Sequence, residues 1–91
     1  MTLGPNSVPR HEPSYRLEVL DGEALLFDPA NRRLVHCNQT AVLVWRLCDG
    51  ERSVQEIIAL LAEAYPEAVA EMAADVQRVL AQFQEAHAIR L

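Results

Sequence analysis

Lysine is absent from this 91-residue chain, and its eight basic residues, all arginine, face thirteen acidic ones. The formal net charge is −5. Sequence-independent binding to nucleic acid rests on an excess of cations that neutralise phosphates. The balance here argues against that role and suits a partner with a basic or mixed surface. Cysteine is scarce. Cys37 and Cys48 form neither a Cys-x-x-Cys pair nor a His/Cys cluster with metal-ligand spacing, and read as buried reduced thiols. Glycine occurs only at Gly4, Gly22 and Gly50, which leaves no glycine-rich phosphate loop. No apolar run is long enough to span a bilayer, and the N-terminus lacks the charged-then-apolar pattern of a signal peptide. The expected location is cytoplasmic, with neither membrane nor nucleic acid as a partner.

Histidine is nearly as sparse. His11, His36 and His87 lie far apart, and no two have the spacing of metal ligands on one element. His36 beside Cys37 suggests a base and a nucleophile, but neighbours on a strand point to opposite faces. Glu67 and Glu71 fall in the first turns of an expected helix, where carboxylates favour the positive end of the helix dipole. Trp45 sits inside an apolar helical pattern and reads as core. No catalytic constellation emerges, so the expectation is no enzyme, no metal and no cofactor.

Ninety-one residues make one domain, and 51% hydrophobic residues suffice for a core. Residues 1–14 carry Pro5, Pro9, Pro13, Gly4, Asn6 and Ser7, too little apolar surface to order themselves, and read as a flexible arm. The domain is then 15–91. Tyr15, Leu17 and Val19 alternate with Arg16 and Glu18, the period of a half-buried strand. Asp21-Gly22 is a hairpin turn signal, Ala24–Phe27 a second strand, Asp28–Asn31 a turn, and Arg32–Cys37 a third strand.

From Asn38 the period becomes helical. Asn38 or Thr40 caps a helix through Cys48 that is apolar on most sides and therefore buried from several directions. Asp49-Gly50 ends it. Ser53 and Glu56 form a capping box that opens a second helix, with Val54, Ile57, Ile58, Leu61 and Tyr65 on one stripe, broken at Pro66. A third helix spans about Val69 to Ala86, with Val69, Met72, Val76, Val79, Leu80 and Phe83 facing the core. Residues 88–91 read as a short extended tail against the sheet. The order βββααα makes an α+β fold resembling a winged helix-turn-helix: a three-stranded antiparallel sheet followed by three helices.

In such a meander the first and third strands are edges, and an open edge is a template for an extended peptide. The N–H of Val35 is expected to point outward from the third strand. Arg32 and Arg33 at the start of that strand suit carboxylates on a peptide. A third helix beside the edge leaves a groove with one strand wall and one helix wall.

The stretch Asn38–Ile57, NQTAVLVWRLCDGERSVQEI, carries a further signal. An Asn-led helix, then Trp45, then LCDGERSVQEI closely resembles the PqqD family, and the similarity runs from about Leu17 to Leu91. Members are small recognition elements for ribosomally synthesised peptides awaiting modification. The resemblance implies that a precursor's leader peptide adds as a further strand along the third strand, against the last helix. Carried onto this chain, the strand wall is Arg33, Leu34, Val35, His36 and Cys37. The helix wall is Asp75, Arg78, Val79 and Gln82, with Phe83 at its apolar border. Val79 and Phe83 equally suit a core, and Asp75 and Arg78 an i, i+3 pair. A modifying enzyme is implied as second partner, often a radical S-adenosylmethionine protein, sometimes a protease or cyclase. The last helix of the family often ends in glycine, where this chain has Ala86-His87-Ala88-Ile89. Two rival readings stay open: a scaffold whose edge pairs with itself, and a winged-helix DNA-binding regulator. For the latter the second helix lacks a basic residue, offering Gln55, Glu56 and Glu63.

Overall fold

The computed structural model describes residues 3–91. In chain order its elements are β1 (Arg10–His11), β2 (Arg16–Leu20), β3 (Glu23–Asp28), β4 (Arg33–Cys37), α1 (Gln39–Leu47), α2 (Val54–Ala64), a 3-10 turn (Pro66–Ala68), α3 (Val69–Glu85) and β5 (Ile89–Arg90). Strands β2, β3 and β4 form the expected antiparallel meander, with the helices after it.

Asp21 and Gly22 both take left-handed φ values, 50° and 81°, joining Leu20 and Glu23 by a two-residue type I′ turn. That turn fixes the hydrogen-bond phase of the whole sheet. Glu23 donates back to Leu20, so Glu23, Leu25 and Phe27 direct their main-chain groups at β2. Ala24, Leu26 and Asp28 then bond to β4, opposite Cys37, Val35 and Arg33. The second turn is held by Asp28, a buried carboxylate that accepts from the Asn31 side chain at 2.9 Å and the Ser14 hydroxyl at 3.2 Å. These donors, the Asn31 amide foremost, hold its carboxyl below the ordinary range against the opposing effect of burial.

The helices begin where the sequence signals place them. Asn38 accepts from the Ala41 N–H at 2.8 Å and caps α1. Ser53 and Glu56 exchange both bonds of the capping box at 3.1 and 3.0 Å. The core lies between the sheet and the helices, where Leu26, Val44, Ile57, Leu80 and Phe83 are fully buried. Trp45 meets Phe83 edge-on, with ring centroids 5.7 Å apart. Tyr65 and Val69, expected on core stripes, are exposed instead. Tyr65 is the cap residue just past the end of α2, and the 3-10 turn carries the chain away from the core there.

The helix α3 ends in a Schellman motif. Ala88 donates to Phe83 C=O at 2.8 Å and His87 to Gln84 C=O at 3.0 Å. His87 sits at φ 59°, the left-handed position that glycine usually fills.

The N-terminal segment differs from the flexible arm expected over 1–14. Residues 1 and 2 lie outside the described residues; the rest lies along the helices. The carbonyls of Ser7 and Pro5 accept from Val54 and Gln55 N–H, the otherwise unpartnered donors at the start of α2. Pro9 is fully buried, and its carbonyl accepts from Gly50. The His11 ring stacks on Trp45 at 3.8 Å and donates to the Trp45 carbonyl. Composition hides this because the stabilising partners are orphan groups elsewhere in the fold. The C-terminal tail likewise pairs with this segment rather than with the meander: β5 bonds to β1, and Arg90 clamps Glu12 at 2.5 and 2.8 Å.

Candidate functional site

A cleft of about 350 Å³ runs between β4 and the C-terminal half of α3, lined by Leu34, Val35, His36, Gln82, Glu85 and Ala86. Its two walls run in opposite directions. At one end the Tyr15 hydroxyl donates to the Ala86 carbonyl at 2.6 Å, with Arg33 at the start of β4 close by. Burial pushes the Tyr15 phenol above its ordinary value, and Arg33 opposes that shift. At the other end Gln39 and Thr40, just past β4, share a smaller cleft with Met72 and Asp75. The strand therefore descends as the helix rises.

Among the described residues β4 is an edge of the sheet, with β3 on one side and no strand on the other. The register decides which main-chain groups the edge presents. Arg33, Val35 and Cys37 bond inward to Asp28, Leu26 and Ala24. Leu34 and His36 therefore turn their N–H and C=O groups outward. This corrects the expectation that the Val35 N–H points to the edge: the type I′ turn sets the opposite phase. The Val35 side chain, 5% exposed, forms the floor of the cleft instead.

The ten residues expected at the site fall into separate places. Leu34, Val35, His36 and Gln82 come together in the cleft. Val79 and Phe83 are buried in the core on the inner side of α3. Asp75 and Arg78 pair with each other at 3.0 Å, about two turns and one turn nearer the N-terminus than Gln82 of the cleft wall. Arg33 lies beyond the cleft beside Tyr15. Cys37 faces a different cleft of about 390 Å³ between the β2–β3 hairpin and α1, along with Val19, Ala24, Val42 and Arg46. Glu85 and Ala86 line the main cleft without having been singled out. The i+3 step from Gln82 to Glu85 was a usable signal, and Ala86 follows it at i+4.

Burial pushes the Cys37 thiol up and the Cys48 thiol to about 12, so neither holds a thiolate near neutral pH. His36 and Cys37 point to opposite faces of β4, the alternation seen in their different surroundings. Among the described residues no group of three or more His, Cys, Asp or Glu is arranged to hold a metal ion. No helix of the described residues is long and apolar enough to cross a membrane. The cleft instead offers an unpaired strand edge, an apolar floor, and a polar rim of His36, Gln82 and Glu85.

Comparison with known proteins agrees with this fold. A relative from Pseudomonas fluorescens described as a PqqA binding protein is 31% identical over 94 residues, spanning 100% of this chain and 99% of its own length. The solution structure of the PqqD truncation of Methylobacterium extorquens PqqCD superposes with a TM-score of 0.79 at 25% identity, covering 99% of this chain and 96% of that one. That protein is described as a functional, stand-alone recognition element for ribosomally synthesised and post-translationally modified peptides. The family model for coenzyme PQQ synthesis protein D matches residues 23–89, from the start of β3 into β5. With the meander's central strand, all three helices and the cleft inside that match, the chain belongs to the PqqD family.

Proposed function

We propose that this protein captures the leader segment of a ribosomally synthesised precursor peptide as an added strand on β4 and presents the remainder to a modifying enzyme. The observation that carries the reading is the open β4 edge, whose Leu34 and His36 main-chain groups face a cleft walled by α3. An added strand satisfies those groups, and its side chains alternate between the cleft floor and the outer face of the sheet. The P. fluorescens relative, described as binding PqqA, supports a peptide as the partner, as does the M. extorquens recognition element. The role is non-catalytic and needs no cofactor: binding leader and enzyme together makes a weak encounter effectively intramolecular. A radical S-adenosylmethionine protein, a protease or a cyclase is the enzyme class this reading implies.

Fluorescence anisotropy with labelled leader segments of peptides encoded beside the gene tests it. Saturable binding that is lost in the His36→Pro variant is expected. A peptide that binds equally well to that variant contradicts strand addition on β4.

A further inference from the structure

We propose that the leader continues past the end of β4 and seats one aromatic or leucine-sized side chain, with an arginine or lysine beside it, in a second subsite between the start of α1 and the start of α3. The inference rests on the strand-addition reading and extends it to the leader residues beyond His36. The subsite is the smaller cleft at the far end of the groove, lined by Gln39, Thr40, Tyr65, Ala68, Met72 and Asp75, with a volume of about 150 Å³. An apolar cavity of about that size takes up one benzene ring. Here Tyr65, Ala68 and Met72 supply apolar surface, and Gln39, Thr40 and Asp75 a polar rim. Periodicity assigns Tyr65 to the buried stripe of Val54, Ile57 and Leu61, yet it is 38% exposed because Pro66 opens the 3-10 turn directly after it. A large apolar side chain is thus left in water at the end of the groove, and a ligand that covers it is stabilised by that burial.

Chain geometry sets the reach. The step from His36 to Gln39 is roughly 10 Å of extended backbone. On the opposite wall the helical step from Gln82 back to Asp75 is also roughly 10 Å. Both walls therefore arrive at the subsite together, and a strand lying between them enters it about three or four residues beyond the one facing His36. Every pairing in the meander is antiparallel, and an added strand that follows suit enters with its N-terminal side. Charge selects the neighbouring residue. Asp75 lines the subsite, and Glu67 lines an adjoining cleft that shares Tyr65 and Ala68. Among the described residues no basic side chain lines either cleft. Arg78 holds Asp75 through Oδ1 from a position 70% exposed, so an incoming cation meets a carboxylate that is only loosely compensated.

Fluorescence anisotropy of the full chain with two lengths of one labelled leader, taken from peptides encoded beside the gene, tests this. One is the whole leader; the other is trimmed to the residues that protect the Leu34 and His36 amides. The trimmed form should bind at least about tenfold more weakly. Tyr65→Ser should weaken the whole leader by about the same factor and leave the trimmed one unchanged. Asp75→Asn should weaken the whole leader alone, an effect that fades at high salt. Amide spectra confirm that each variant is folded. A trimmed leader as tight as the whole one overturns the second subsite and leaves strand addition standing, as does a Tyr65→Ser variant that affects both lengths alike. An Asp75→Asn variant as tight as the parent overturns the basic neighbour. Absence of binding by either length overturns the strand-addition reading and this one with it.

Discussion

Val35 of the edge strand stands opposite Leu26 of the central strand, and the Asp21-Gly22 turn makes theirs a hydrogen-bonded pair. Val35 thus spends its main-chain groups on the sheet, while its neighbours Leu34 and His36 turn theirs outward. Proline substitution separates the two roles. Val35→Pro removes a ladder donor, leaves the Leu26 carbonyl unpaired beside a buried core, and costs at least about 1–3 kcal/mol. His36→Pro removes only an outward donor, so stability changes by less than about 1 kcal/mol while peptide affinity is lost. Urea unfolding and peptide anisotropy on both variants check the contrast.

The helix α3 divides in the same way between core and cleft. Phe83 and Val79 are buried, whereas Gln82 and Glu85 line the cleft. Phe83→Ala should cost about 3–5 kcal/mol through the cavity it leaves. Gln82→Ala and Glu85→Ala should leave the urea midpoint nearly unchanged and alter only the dissociation constant for the leader. A binding loss in Phe83→Ala is then an effect of stability, and the denaturation curve shows it.

His87 occupies a left-handed position at the end of α3 without being glycine. A side chain there costs about 1–2 kcal/mol, part of which glycine gives back as added freedom of the unfolded chain. His87→Gly is therefore expected to stabilise the protein by about 0.5–1 kcal/mol relative to His87→Ala. Thermal unfolding of the two variants measures it.

The N-terminal segment should behave as part of the fold. Deleting the chain through Pro9 strips partners from the Gly50, Val54 and Gln55 N–H groups. At about 1 kcal/mol for each bond, the loss should approach 3 kcal/mol in urea unfolding. An unchanged midpoint would show that the segment contributes nothing.

Acid should unfold the protein through its held carboxylates. The Asp28 carboxyl is depressed by Asn31 and Ser14, and Glu12 by Arg90. A depressed folded-state value contributes stability above the unfolded value and loses it as pH falls through the folded one. The urea midpoint should be flat down to about pH 5, then fall below about pH 4. Asp28→Asn should flatten part of that fall.

Much of this was legible in the residues. The three strands, the Asn38 cap, the Ser53–Glu56 box and the two helix breaks are local signals, each fixed by a few neighbouring side chains. The open edge at β4 was legible too, because an edge follows from a three-stranded meander, although of the five strand residues only Leu34, Val35 and His36 line the cleft. Two things were not. The docking of residues 3–13 depends on donors at the start of α2 and on β5, far away in sequence. How far along α3 the cleft runs depends on how the helix is placed against β4, so Asp75 and Arg78 fell outside it while Glu85 and Ala86 reached it. The phase of the edge was readable in principle, since a two-residue Asp-Gly turn determines it for every strand beyond.

The most direct measurement is an amide-shift titration of the labelled protein with leader segments encoded beside its gene. Expected are shifts concentrated at Leu34–His36 and Gln82–Ala86, with the Leu34 and His36 amides becoming protected from exchange while that of Val35 stays protected throughout. Shifts confined to the hairpin and α1, or newly protected amides on β2 instead of β4, would contradict capture by strand addition at this edge.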